Sequence, residues 1–294
     1  MMRYATTQFR KHPLEFGQST TSAQEDALLL VMEMLRLPAD DPDPWLDASL
    51  TQAEKEAILL GVQTRVDQRR PVAYIVKTAY FHGEPVFVDE RVLIPRSYLG
   101  EVLVSERYRP LLHGRPVTKV LDLCTGSGCL AILASRVFPK AELIHATDIS
   151  PDCIEVATKN IRSRGLEDRI LPMQGDLFDF PQATRYDLIL CNPPYVDHEG
   201  MASLPMEYRF EPKSALAAGE DGMAVLRRIL IESPGFLTDQ GILLCEVGLR
   251  AHDVLRMFPM LEGRVDWLDT ELSENEVLLA RKSVLEEACS KIPS

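Results

Sequence analysis

Apolar positions fall at helical spacing over much of the first 70 residues, then give way to short apolar runs separated by helical stretches. Residues 1–21 are polar with no clear period and predict a loosely held arm. Ser22-Ala-Gln-Glu25 has the form of a capping box and precedes Ala27, Leu28, Val31, Met32 and Leu35, which share one helical face. The Pro38 to Pro44 stretch ends that helix in a loop, and Thr51-Gln-Ala-Glu54 opens a second helix through about Gln68. Residues 1–70 therefore read as a small helical unit whose apolar stripe is core, with partner docking as the minor alternative. Beyond Pro71, Ala73–Val76 and Glu84–Asp89 predict the strands of a hairpin turning at His82-Gly83, so residues 71–96 read as a hairpin linker.

From residue 97 to 294 the pattern is that of a single α/β domain, beginning with a helical stretch to about Tyr108. Strands are predicted at Val117–Leu123, Glu142–Thr147, Arg169–Gln174, Asp187–Cys191, Gly241–Val247, Val265–Asp269 and Val277–Arg281. Helices are predicted at Cys129–Val137, Pro151–Arg164 and Gly222–Glu232. Such alternation implies a doubly wound, mostly parallel seven-stranded sheet.

Glycines at the first strand-to-helix turn, Asp122-Leu-Cys124-Thr125-Gly126-Ser127-Gly128-Cys-Leu-Ala131, let backbone pass close to a ligand. Alone, the pattern also fits a dinucleotide site, with Asp148 about 20 residues on as the ribose acid. Asp122 inside the turn would repel a pyrophosphate and suits the ammonium of a methionine tail. Asp176, after the third strand, is placed to accept an adenine amine. These acids belong at the carboxyl edge of the sheet, where ligands of doubly wound folds bind. After the fourth strand comes Asn192-Pro193-Pro194-Tyr195. Its prolines hold the chain extended and donate no N–H; a plain Pro-rich turn is the alternative for this tetrapeptide in isolation.

Taken with Arg70-Pro71-Val-Ala-Tyr74-Ile75, Val92-Leu-Ile-Pro95-Arg96, Glu211-Pro212, Ala215-Leu216 and Gly219-Glu-Asp-Gly222, these motifs resemble the HemK/Prm family of protein glutamine methyltransferases. That family belongs to the Rossmann-like class I methyltransferases. Release-factor enzymes of the family usually read Ile-Pro-Arg-Pro-Glu-Thr-Glu where this chain has Ile94-Pro95-Arg96-Ser97-Tyr98-Leu99-Gly100-Glu101. The difference, together with Tyr208-Arg-Phe-Glu-Pro212, resembles the ribosomal-protein type (PrmB), which methylates a glutamine of the third large-subunit protein.

The resemblance implies S-adenosyl-L-methionine as methyl donor, held by Asp122, Cys124, Thr125, Gly126, Ser127, Gly128, Asp148, Ile149, Asp176, Leu177 and Asn192. The side chains of Cys124 and Cys129 read as packing. It implies that Asn192 and the Pro193 carbonyl accept the amide hydrogens of the substrate, with Pro194 and Tyr195 lining its slot. No metal is called for, and His198 and Glu199 read as surface residues. A substrate-recognition role for the N-terminal helices and for Arg96 to Glu101 also rests on the resemblance. Release-factor methylation, adenine methylation of nucleic acid and a non-catalytic cofactor-binding scaffold are the alternatives.

A formal charge of −12 disfavours a nucleic-acid substrate and suits a basic ribosomal protein, free or in an assembly intermediate. The six cysteines include no Cys-x-x-Cys or zinc spacing, and most lie in apolar runs, as expected of reduced thiols in the cytoplasm. No signal-peptide core or membrane-length apolar stretch is evident.

Overall fold

The computed structural model describes residues 1–37, 45, 48–112, 114–181, 184–271 and 274–290; the loop expected at Pro38 to Pro44 lies outside them. The backbone divides into two units, Met1–Arg96 with Leu204–Pro212, and Ser97–Ser203 with the chain from Lys213 onward.

In the first unit the expected loose arm is instead a helix, α1 (Met2–Lys11), with Ala5 and Phe9 buried. Two apolar residues one turn apart make too weak a stripe to read in a polar segment. Packing against neighbouring helices stabilises a helix that propensity alone would not. Next come α2 (Ala23–Leu35) and α3 (Gln52–Gln68). Thr51 forms a complete capping box with Glu54. Ser22 accepts from the Glu25 N–H, while the Glu25 carboxylate takes the N–H of Thr21 rather than that of the cap. Ile58, Val62 and Arg65 share the inner face of α3, and Ala5, Phe9, Leu30, Ile58, Val62 and Val72 join one core.

Ala73–Val76 also departs from expectation: it lies in a short helix, α4 (Val72–Val76), not a strand. Burial of Val72, Ala73 and Tyr74, and a 2.6 Å bond from the Tyr74 hydroxyl to the Val92 carbonyl, override its β-type composition. The hairpin follows as β1 (Thr78–Phe81) and β2 (Glu84–Phe87), antiparallel, turning at His82 and Gly83, both at positive φ.

Buried charge distinguishes this unit. Arg65, 2% exposed, donates to Asp26 at 2.9 Å, to Glu207 at 3.2 Å and to the Glu15 carbonyl at 2.7 Å. Arg69 reaches the same Glu207 carboxylate at 3.0 and 2.9 Å. Burial opposes ionisation of Glu207, but hydrogen bonds from Arg69, the Glu15 N–H and Arg65 outweigh it and hold its carboxyl below the usual range. Arg96 forks onto Glu211, which also accepts the Ile94 N–H at 3.2 Å.

The second unit begins with α5 (Leu99–Ser105) and α6 (Arg109–Leu112) and then alternates: β3 (Lys119–Leu123), α7 (Cys129–Val137), β4 (Leu143–Asp148), α8 (Pro151–Arg162), β5 (Ile170–Gln174), β6 (Tyr186–Cys191), α9 (His198–Ser203), α10 (Ala224–Glu232), β7 (Leu237–Glu246), α11 (Ala251–Met257), β8 (Asp266–Leu268), β9 (Val277–Arg281) and α12 (Lys282–Cys289). The strand order is β5-β4-β3-β6-β7-β9-β8, with β3 to β7 parallel and β9 antiparallel to both its neighbours. From β3 the chain winds outward through β4 and β5, then returns to β6 on the other side. The β3/β6 boundary is therefore the topological switch point, where such sheets open a ligand crevice at their carboxyl ends.

Among the described residues no helix is long and apolar enough to cross a membrane. All six cysteines are free thiols.

Candidate active site

Register places the sequence-predicted residues at this switch point. Leu123 pairs with Cys191 and Cys191 with Cys245, so Cys124, Asn192 and Glu246 leave three adjacent strand ends. Asp148 closes β4 beside them, and Asp176 lies two residues beyond β5.

Asp122 lies within β3 rather than after it and is fully buried. Its Oδ2 accepts from the Thr125 hydroxyl at 2.5 Å and the Ala131 N–H at 3.1 Å, tying the turn to α7. Its Oδ1 is buried with no hydrogen-bond partner among the described residues. Burial pushes the carboxyl up to about 7, against the pull of the two hydrogen bonds and with help from the Asp148 charge. Across the turn, the Thr125 N–H donates to the Thr147 carbonyl at 2.9 Å.

The two turn glycines differ. Gly126, at φ +55°, has open space where a Cβ would point. Gly128, at φ +80°, caps α7, and a Cβ there would meet Ala157 of α8 at 3.2 Å. Close packing of α7 on α8, together with the positive φ, gives the second glycine a structural reason of its own. Ser127 is buried, and its carbonyl accepts from Asn160 at 2.9 Å. Burial and the nearby Asp122 push Cys129 up to about 12, which suits a packing thiol.

Asp148 accepts the Gly126 N–H at 2.9 Å on one carboxylate oxygen and the Ser150 N–H at 3.0 Å on the other. Burial raises its carboxyl despite these bonds. Ile149 follows it with its side chain exposed, and Leu177 is buried. Asp176 is on the surface, paired with Arg228 at 2.8 Å, a contact of little energetic weight at that exposure.

Asn192 is partly buried, and its side-chain amide has no hydrogen-bond partner among the described residues. Pro193 is buried and Pro194 partly so. Beyond them Val196 bridges to the 216–218 segment through the Leu216 carbonyl and the Ala218 N–H, each at 2.9 Å. His198 and Glu199 are exposed at the start of α9.

Tyr195 is clamped. Its hydroxyl donates to Glu246 Oε1 at 2.9 Å, and its carbonyl accepts from Arg250 Nε at 3.4 Å. A Cβ on Gly248 would lie 2.6 Å from its ring, and one on Gly222 2.6 Å from its carbonyl oxygen. Arg250 is in turn paired with Asp197. Glu246, 2% exposed, also accepts the Ser97 hydroxyl at 2.6 Å and the Tyr98 N–H at 3.0 Å on Oε2. The sequence reading missed Glu246, Gly248 and Arg250. An acid ending an otherwise apolar strand, followed by glycine, is the signal that could have found the first two.

A model of the methyltransferase small domain matches residues 110–219, which take in the glycine turn, the acids and Asn192–Tyr195. The ribosomal protein uL3 glutamine methyltransferase of Bradyrhizobium diazoefficiens is 46% identical to this chain over 282 residues, 94% of the chain and 88% of the relative. That of Bordetella pertussis is 41% identical over 286 residues, 97% of the chain and 95% of the relative. The chain belongs to the uL3 glutamine methyltransferase family. Its sheet is that of a class I methyltransferase, and S-adenosylmethionine is its methyl donor. The methyltransferase has room and polarity for that donor in the open space over Gly126 and the unpartnered Oδ1 of Asp122.

Proposed function

We propose that this chain methylates the side-chain amide nitrogen of a glutamine in ribosomal protein uL3, using the switch-point crevice as its active site. The observation that carries the reading is the unpartnered amide of Asn192, held at the end of β6 beside two residues that lack an N–H. An amide nitrogen is a poor nucleophile because its lone pair is delocalised into the carbonyl. Acceptance of both its hydrogens, by Asn192 Oδ1 and the Pro193 carbonyl, orients the nitrogen and returns electron density to it. Pro194 and the Tyr195 ring border the slot. S-adenosylmethionine, when bound, supplies a methyl already activated by sulfonium, and the methylated nitrogen then loses a proton to water.

Asp122, Cys124, Thr125, Gly126 and Ser127 form the turn assigned to the methionine end. Gly128 supports that turn from behind. Asp148, oriented by two N–H groups, has lone pairs left for ribose hydroxyls; Ile149 offers an apolar face to the base, and Asp176 with Leu177 the edge that meets its amine. Residues 1–70 and Arg96 to Glu101 are assigned to substrate recognition, residues 71–96 to a hairpin linker and 97–294, apart from Leu204–Pro212, to the catalytic domain.

The ionisation of Asp122 gives the cofactor assignment a signature. Its carboxyl is raised to about 7, so it is largely neutral below that pH, and an ammonium ligand favours the ionised form. S-adenosylmethionine affinity is therefore expected to rise with pH through about 7 and level off above it. Asp122→Asn should flatten that profile. Calorimetric titrations from roughly pH 6 to pH 8.5 read both, and an equal slope in wild type and Asp122→Asn would remove the contact.

A net charge of −12 favours encounter with a basic protein in the cytoplasm, before assembly buries the substrate loop in RNA. Methylation of free uL3, a release factor and mature large subunits across a salt series tests this reading. Free uL3 should be modified fastest, with rates falling as salt rises. Preference for the release factor would reassign the substrate, and rates indifferent to salt would leave the charge without a role in encounter.

A further inference from the structure

Glu246 is a buried acid that the chemistry of methyl transfer does not itself use. It ends β7, is 2% exposed, and has no cation partner among the described residues. An ionised carboxylate in such a place is costly unless hydrogen bonds satisfy it. Three donors do so: the Tyr195 hydroxyl on Oε1, and the Ser97 hydroxyl and Tyr98 N–H on Oε2. Burial, with the charge of Glu276 adding to it, raises the carboxyl, while the three hydrogen bonds pull the other way.

The donors come from two places. Tyr195 is the last residue of the Asn192–Tyr195 segment. Ser97 and Tyr98 immediately precede α5, where the Ser97 hydroxyl also accepts the Leu99 N–H at 3.2 Å. One carboxylate thus joins the entry to α5 to the far end of the tetrapeptide. Gly248, two residues past Glu246, lies against the ring of that same tyrosine.

On the reading of the active site given above, we propose that Glu246 is a positioning residue for methyl transfer. It fixes the Tyr195 phenol, and with it the path of Asn192–Pro193–Pro194, relative to the Ser97–Tyr98 segment. Glutamine can keep all three contacts, its oxygen toward Ser97 and Tyr98 and its NH₂ donating to the Tyr195 oxygen, whereas leucine offers no acceptor and both sides must release. A displacement of about 1 Å at a slot that orients a weak nucleophile costs up to about a hundredfold in rate.

The test is a pair of double-mutant cycles, with kcat and KM measured on free uL3 and the unfolding midpoint recorded for every variant. Glu246→Leu is expected to lower kcat tenfold to a hundredfold, on the order set by misplacement, with S-adenosylmethionine affinity unchanged. Adding Tyr195→Phe to Glu246→Leu should cost little more. Ser97→Ala with Tyr195→Phe leaves the charge in place, and its two losses should combine to less than their product, because both loosen the same carboxylate. That second cycle stands even if Glu246→Leu does not fold. Unchanged kcat in Glu246→Leu, or fully multiplicative losses in the second cycle, would overturn the role. Absence of wild-type turnover on uL3 would instead overturn the proposed substrate. The second cycle is then read on the unfolding midpoints, where additivity overturns the linkage and non-additivity supports it.

Discussion

Asn192→Ala is expected to lower turnover on the order of a hundredfold or more while S-adenosylmethionine binds as in the wild type. The amide of Asn192 makes no hydrogen bond among the described residues, so removing it strands no partner and leaves the fold intact. What disappears is one of the two acceptors that orient the glutamine nitrogen and draw on its hydrogens. That contact strengthens as the nitrogen gains positive character, so the loss should fall on kcat rather than on substrate KM. Asn192→Asp is the informative companion: it keeps an acceptor oxygen but adds a charge, and should recover only part of the rate. Single-turnover kinetics with calorimetric cofactor titration check both. Turnover near wild type in Asn192→Ala would refute the mechanism, whatever became of the substrate assignment.

The second large effect is on stability. Arg65→Ala should cost the first unit about 3–5 kcal/mol, the range for removing one partner of a buried ion pair. Arg69 still reaches Glu207, so the penalty falls mainly on Asp26, which is 3% exposed and keeps only the Thr20 hydroxyl as a side-chain donor among the described residues. Amide hydrogen exchange in α2 and α3 reads the change locally, without assuming that the whole chain unfolds in one step. Protection within about 1 kcal/mol of wild type would mean that water or rearrangement satisfies Asp26 in the variant.

The doubly wound sheet was legible because its signals were local. Strand-length apolar runs alternated with helical periods; Cys129–Val137 and Val277–Arg281 were placed to the residue, and Pro151 marked a helix start. The site was legible for a related reason, since the glycine turn and Asn192–Tyr195 are short contiguous motifs at strand ends. What escaped depended on contacts distant in sequence. Ala73–Val76 has β-type residues, yet burial and the Tyr74–Val92 bond make it helical. The helix at Met2–Lys11 needs α2 to pack against. The packing of Gly128 against Ala157 of the following helix was likewise out of reach of the sequence. Asp122, read as facing a ligand, spends one oxygen inside the turn. The acid at the end of an apolar strand marked Glu246, but its partners were hidden because its three donors lie 51 to 149 residues away along the chain.

The two passages of the chain through the first unit bear on how that unit is made. Arg65 and Glu207 are 142 residues apart, and Arg96 and Glu211 are 115 apart. During synthesis the helices and hairpin emerge long before the nine residues Leu204–Pro212 that neutralise their buried arginines. With translation at roughly 5–20 residues per second, that interval lasts several seconds. Through it, Arg69 and Arg96 lack their carboxylates and Arg65 has only Asp26. Its closure comes after the strand that leads into Asn192, so the unit assigned to recognition is completed only after the segment assigned to the chemistry has been synthesised.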